Sequence, residues 1–448
     1  MRQVKVSRFG IRGKVDAGLE LAQVIDHVSA FASWLEGGSV VVARDTRHSS
    51  PMLASAATSA LSACGCEVLD VGICPTGVAQ HAALRAGAAG MVSVTASHSD
   101  GAWNGLKFYG EGGRILTKAE GAEILDLWHQ GDYLKARHER LGPMRDLDNV
   151  IEDYVAALVA SVDWQRIARA RLRVVVDCGN GAGAMVVAAL CHQLGIELIP
   201  IGCEPSGDFA RPPDPTERNL ANAAAIIKPV GAHVGFGFSS DCARVSLITD
   251  EGHALGTGAT LPLLVDAVGR REDVGVVVAS ICCDSRVDRV AERRGLRVER
   301  SGIGAHAVVE RMVASDAVVG GESSGRVSLR GQQAFDGLAA MVRLIERVAA
   351  ERGSRALAEA LPLVHVRETT IPSPLDRGYS AVARLRQQGG GRVTDMDGVR
   401  VDLPEGWYHV RVSNTEPVIR IACEARTADE ADDLLRRVTR HVQAAIHE

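Results

Sequence analysis

Short apolar runs alternate with stretches of helical period through the first part of the chain. "SVVVARD" (39–45) reads as a buried strand, and "SSPMLASAATSALSAC" as a helix entered through Ser-Pro. "EVLDVG" is the next strand, "CPTGVAQHAALRAG" a second helix, and "AAGMVSVTA" a third strand that empties into polar, glycine-punctuated chain, "SHSDGAWNGLKFYGEGG". Strands alternating with helices of this length predict a largely parallel sheet with right-handed crossovers.

The pattern then resets twice. "LRVVVDCGNGAGAMVVAALCHQLGIELIPIG" (172–202) is a βαβ unit, followed by the strands "HVGFGF" and "VSLITDEG". "DVGVVVASICCDSRVDRVAERRGLRVER" (273–300) is another, followed by the helix "AHAVVERM" and the strand "DAVVGG". Three such units suggest one topology used three times without literal sequence repetition. The end differs: "HVRETTIPS", a helix around "SAVARLRQQ", "GVRVDL", "GWYHVRVS", "VIRIACEA" and the helix "DEADDLLRRVTRHVQAAIHE" predict an antiparallel α+β unit. The glycines 389–391 read as a hairpin or loop. The expected domains are 1–150, 151–255, 256–365 and 366–448.

Length and composition fit this division. A chain of 448 residues is too long for one ordinary core. A hydrophobic share of 46% and a charged share of 23% are normal for a globular protein. A net charge of -5 argues against a nucleic-acid binder that works by phosphate neutralisation. The ten cysteines form no CxxC pair and several lie in apolar runs, which suits reduced, buried thiols better than disulfides or structural zinc. No apolar leader or membrane-length span occurs, so the expected compartment is the cytoplasm and no membrane partner is expected.

Four polar loops carry the candidate chemistry. The first holds Ser97 and His98, with Lys107 ten residues on and Arg12 of "FGIRG" as a further cation. A serine that carries phosphate acquires a charge of about -1.5 to -2 and needs cations around it. The second, "GFGFSSDCARVSLITDEG", offers Asp241 and Arg244. The third, "GGESSGRV", places Glu322 and Ser324 at the spacing to accept from and donate to adjacent sugar hydroxyls. The fourth, "RVSNTEPVIR", packs Arg411, Ser413, Asn414 and Thr415 into a cradle for a dianion. Taken singly, these residues leave Ser97 either a reactive group or a plain loop serine, and the third loop either a hydroxyl reader or a turn between strands.

Taken together and in order, the loops resemble those of the α-D-phosphohexomutase superfamily. "FGIRG", "VVVARDTRHSSP", "VVVDCGNGAGA", "GDFARPPDPTERNL", "AFDG" and "RVSNTEP" extend the match over nearly the whole chain. The resemblance implies an α/β protein of four domains around a central cleft. Three related domains have mixed, mainly parallel sheets, and the C-terminal domain is antiparallel α+β. It implies an intramolecular phosphotransferase in which phospho-Ser97 exchanges a phosphoryl group with a hexose monophosphate, with a hexose 1,6-bisphosphate as intermediate and activator. By position, Ser97, His98, Lys107 and Arg12 form the catalytic group. Glu322, Ser324, Arg326, His306, Arg244, Arg411, Ser413, Asn414, Thr415 and Arg420 form the substrate site. The expected partner is a phosphorylated hexose or a related small molecule, and the expected assembly a monomer or homodimer.

One loop departs from the family pattern. Where the family reads D-G-D-x-D-R around Mg²⁺, this chain reads Ser239-Ser240-Asp241-Cys242-Ala243-Arg244. Mg²⁺ demands oxygen ligands in near-octahedral geometry, so with Asp241 alone a standard site is not expected. Electrostatics nevertheless permit a phosphoserine. Three aspartates, a phosphoserine and one Mg²⁺ sum to about -3, and one aspartate with the same phosphoserine also sums to about -3. The family's usual histidine in the third loop is replaced by Arg326, and Ser99-Asp100 stand where Asn-Pro is usual. The sequence therefore predicts a mutase with weak or absent Mg²⁺ dependence. A phosphosugar enzyme with a changed reaction and a phosphosugar-binding pseudoenzyme are the alternatives.

Overall fold

The computed structural model describes residues 4–447 apart from 273, 333, 352, 389 and 414–416. Four sheets organise these residues. The first has the spatial order Val4–Ser7, Gly10–Lys14, Trp103–Tyr109, Gly90–Val94, Ser39–Arg44, Glu67–Ile73, Met144–Asp146. The second runs Val245–Thr249, Val234–Phe238, Arg173–Asp177, Glu197–Ile201, and the third Arg297–Ser301, Val276–Ser280, Val319–Gly321, Val327–Leu329. The fourth, His365–Pro372, Val418–Ala425, Gly406–Val412, Val399–Leu403, Arg392–Thr394, is antiparallel throughout.

The repeat expected from the sequence is visible in strand order. In each of the first three sheets, four strands in chain order lie side by side as fourth, third, first, second. The first three pair in parallel, and the fourth returns antiparallel beside the third. The connection from third to fourth strand therefore leaves the carboxyl end of a buried parallel strand, where open α/β sheets place ligands. Those connections are residues 95–102, 239–244 and 322–326, and they carry Ser97, Asp241 and Glu322. Each contains a left-handed residue: Ser97 at φ 54°, Cys242 at φ 55°, Gly325 at φ 77°.

The first sheet is wider than the sequence pattern predicts. The chain after Ser97 is not loop throughout: Trp103–Tyr109 is the fourth strand, and the N-terminal hairpin Val4–Lys14 extends the sheet beyond it. A strand at Arg392–Thr394 follows the 389–391 glycines, of which Gly389 lies outside the described residues.

One apolar cluster runs through the first three units, with the buried helix Gly337–Glu351 at its centre, and the fourth sheet keeps its own cluster. Polar contacts join the fourth unit to the third. Ile303 N donates to Asp397 (3.0 Å), Arg400 Nη1 to the Ile281 carbonyl (2.6 Å) and Ser285 N to the Glu424 carboxylate (2.8 Å). The ten cysteines are unpaired thiols, all buried except the half-buried Cys203 and Cys282. Among the described residues, no helix is long and apolar enough to cross a membrane.

Candidate active site

The turns of the first two units meet face to face. Ser97, only 2% exposed, donates from Oγ to Asp241 Oδ1 at 2.8 Å. The same oxygen accepts from Ser239 Oγ (2.8 Å) and Ala243 N (3.2 Å), while Lys107 Nζ lies 2.6 Å from Oδ2. Burial pushes the Asp241 carboxyl up, but the Lys107 ammonium and the Ser239 and Ser97 hydroxyls more than reverse this, so it is held well below the usual range. Burial likewise pulls Lys107 down, partly offset by Asp241. The serine hydroxyl and the ammonium thus lie on the two oxygens of one carboxylate.

This arrangement does not fit a divalent cation. A carboxylate offers about four lone-pair sites. Oδ1 of Asp241 already serves three donors and Oδ2 an ammonium. Ser239 Oγ is spent on Asp241 and also accepts from Arg244 N at 3.0 Å. Ser240 Oγ lies 2.8 Å from the Ser97 carbonyl and 2.9 Å from Asp45 Oδ2. Among the described residues, no group of three histidine, cysteine, aspartate or glutamate side chains is placed to hold a metal.

The support behind Ser97 was not recognised in the sequence. Arg47, fully buried, donates to the carbonyls of Ser97 (2.9 Å), Ser99 (2.7 Å) and Trp103 (2.9 Å), and also to that of Asp100. Its Nε bonds Asp45 Oδ2 at 3.0 Å, where Thr95 Oγ1 also donates at 2.7 Å. Thr95 Oγ1 in turn accepts from Ser97 N at 2.8 Å. A left-handed serine costs of order 1–3 kcal/mol and persists only when its surroundings over-determine it, as these bonds do. The signal was the Asp-x-Arg of "RDTR" at the carboxyl end of the first parallel strand.

The remaining predicted residues fall into three places. Arg12 lies in register with Gly105 on the strand beside Lys107. Burial, together with the charges of Arg244, Arg326 and Arg12, pushes the His98 imidazole down to about 2 and keeps it neutral. Arg244 Nη1 bonds Asp214 at 2.9 Å. In the third unit, Glu322 Oε1 accepts from Gly304 N (2.8 Å) and Oε2 from Ser324 Oγ (3.3 Å). His306 stacks on Phe9 with centroids 4.5 Å apart and lines a cavity of about 830 Å³ whose walls also include Arg8, Lys118 and Asp397. Asp100 is exposed and caps its own turn by accepting from Ala102 N at 3.1 Å. In the fourth sheet, Arg411 and Arg420 are cross-strand partners beside the buried Ser413, while Asn414 and Thr415 lie outside the described residues.

Four consecutive profiles of "Phosphoglucomutase/phosphomannomutase" match the chain. The three alpha/beta/alpha domains match residues 3–135, 152–252 and 259–364, and the C-terminal domain residues 326–441. A phosphoglucomutase/phosphomannomutase of Thermococcus kodakarensis is 32% identical over 438 residues, covering 95% of this chain and 96% of that one. A probable phosphoglucosamine mutase of Thermococcus gammatolerans is 28% identical, covering 98% of each. The crystal structure of a phosphoglucomutase/phosphomannomutase family protein from Burkholderia thailandensis superposes with a TM-score of 0.87 at 27% identity, covering 98% of both chains.

Proposed function

Because the chain belongs to the phosphoglucomutase/phosphomannomutase family, we propose that it moves a phosphoryl group between the 1- and 6-positions of a hexose phosphate through phospho-Ser97, with weak or absent dependence on Mg²⁺. The observation that carries this reading is the Ser97–Asp241–Lys107 chain at 2.8 and 2.6 Å.

In the half-reaction that loads the enzyme, the phosphorus–oxygen bond to the sugar breaks as the bond to Ser97 Oγ forms. The Ser97 proton passes along its existing hydrogen bond to Asp241 Oδ1, and the sugar oxygen takes a proton from Lys107. The proton on Asp241 then restores the ammonium, so the pair ends as it began. Such transfers depend mainly on positioning and charge rather than on a strong base. Glu322 and Ser324 read sugar hydroxyls, and Arg411, Ser413 and Arg420 hold the phosphate that does not react. Asn414 and Thr415 belong to the same loop by sequence.

The test is phosphorus NMR with glucose, mannose and glucosamine 1-phosphates, each with its 1,6-bisphosphate, in Mg²⁺ and in EDTA. The expected result is a 6-phosphate signal that survives EDTA and disappears in Ser97→Ala. Binding of these sugars by folded protein without turnover overturns the mutase reading in favour of a changed reaction or a binding role.

A further inference from the structure

Arg326 closes the third unit's turn, one residue before that unit's fourth strand, and Arg244 holds the same place in the second unit. The tetrapeptide Arg-Val-Ser-Leu occurs at both positions, 244–247 and 326–329. The two turns touch through Val245 N, which donates to the Gly325 carbonyl at 3.2 Å. The two arginines are thus topological counterparts on turns that touch.

Their bonding differs. Arg244 keeps Asp214 at 2.9 Å, yet its buried Nε–H has no partner among the described residues. The Arg326 side chain is 23% exposed, and among the described residues its five N–H groups donate no hydrogen bond. The nearest carboxylate oxygen, Glu322 Oε2, lies 3.8 Å away. A largely buried guanidinium is costly unless an anion meets it. His98 Nδ1, next to the phosphocarrier, is likewise buried with no partner among the described residues. The Arg244, Arg326 and Arg12 charges all push the His98 imidazole down, and Arg326 does the same to Lys107. The Val245–Gly325 bond joins the Arg326 turn to the turn whose Asp241 holds Ser97. Like charges gathered this way become favourable when a dianion enters.

We propose that Arg326 is a catalytic residue whose guanidinium grips the phosphoryl group in transit to and from Ser97, supplying the positive charge that the 239–244 turn cannot recruit as a metal ion. The inference rests on the phosphotransfer reading above and adds the group that meets the transferring oxygens. Arg326 forms and breaks no covalent bond. Its planar fork donates N–H groups to the equatorial oxygens while the phosphorus passes between the sugar oxygen and Ser97 Oγ. The turn of the second unit offers the single carboxylate Asp241, and the turn of the third offers the guanidinium of Arg326, so the cation that meets the phosphoryl group is a side chain.

The experiment compares wild type, Arg326→Gln and Arg326→Lys in EDTA. One arm follows transfer from glucose 1,6-bisphosphate to Ser97 by intact mass, and the other titrates inorganic phosphate by calorimetry, with circular dichroism as the folding check. The expected result is a loss of about 10³-fold in the rate of loading for Arg326→Gln, the lower end of what a positioned arginine contributes. A much smaller change in KM, partial rescue by Arg326→Lys and phosphate binding weakened at least tenfold are expected with it. Loading by Arg326→Gln at the wild-type rate overturns the proposal. So does a wild-type enzyme that loads only with Mg²⁺. If wild type loads Ser97 from no bisphosphate, the mutase reading fails, and the phosphate arm decides whether Arg326 holds an anion. Unchanged phosphate binding in Arg326→Gln then overturns the inference as well.

Discussion

Asp241 accepts from Ser97, Ser239 and Ala243 on one oxygen and meets Lys107 on the other, so it is the carboxylate that links the serine hydroxyl to the ammonium. Removing its charge while keeping its shape separates its two roles. Asp241→Asn is expected to lower the rate of Ser97 loading by about 10²–10⁴-fold, the range of a proton-handling group. Its response to EDTA should match wild type; an Asp241→Asn enzyme that loads at the wild-type rate would remove Asp241 from the mechanism. At this scale the sequence was partly legible. Ser97, Asp241 and Lys107 were singled out because a hydroxyl, a carboxylate and an ammonium announce their chemistry in any context. Arg47 and Asp45 were passed over because what matters about them is burial. An arginine 1% exposed that binds loop carbonyls resembles, in one dimension, any surface arginine after a strand.

At the level of elements, the parallel strands were readable because burial on both faces makes them continuous apolar runs such as Val40-Val41-Val42. Trp103–Tyr109 was not, because Asn104 and Gly105 interrupt the pattern. The structure gives the reason for the glycine: a Cβ at 105 would lie 2.3 Å from the Ile11 carbonyl, where the N-terminal hairpin lies against this strand. The "VVVDCGNGAGA" segment has a similar logic. A Cβ at Gly181 would lie 2.7 Å from Ser240 Cα and 2.8 Å from its carbonyl. The backbone at Gly181, φ -86°, is open to alanine, so only the contact is at issue. Gly181→Ala is expected to destabilise by about 1–3 kcal/mol, as overpacking does, in urea unfolding. Because Ser240 holds the Ser97 carbonyl, it should also slow loading of Ser97. A variant with wild-type stability and loading would show that the 239–244 turn yields freely.

For the whole molecule, the seam between the third and fourth units is set by groups with little freedom to titrate. His409, 1% exposed, meets Cys282 Sγ at 3.1 Å through Nδ1 and the Asp397 carbonyl at 2.9 Å through Nε2. A carbonyl only accepts, so Nε2 carries the proton and Nδ1 is the acceptor. Burial, reinforced by the Arg411 charge, pushes this histidine down to about 4 from its ordinary 6.5. Below pH 6.5 the unfolded chain binds a proton here that the folded one refuses until about pH 4. This site therefore makes stability rise with pH across that window, by about 1.4 kcal/mol per pH unit. Urea unfolding of wild type and His409→Gln between pH 4 and 7 checks this. The wild type should show the steeper dependence, and parallel curves would exclude His409 as the titrating group.

The sequence by itself determined the parallel strands and the helices between them in the three repeated units, the presence of Ser97 and its polar loops, and the single carboxylate of the 239–244 turn. Each of these is a local property: a period, a residue type, a count. Tertiary structure decided that the three turns occupy one topological position, that Lys107 crosses to Asp241, and that the turn of Arg326 touches that of Arg244. Those facts depend on which strands are neighbours, and pairing between strands far apart in the chain leaves no trace in local composition.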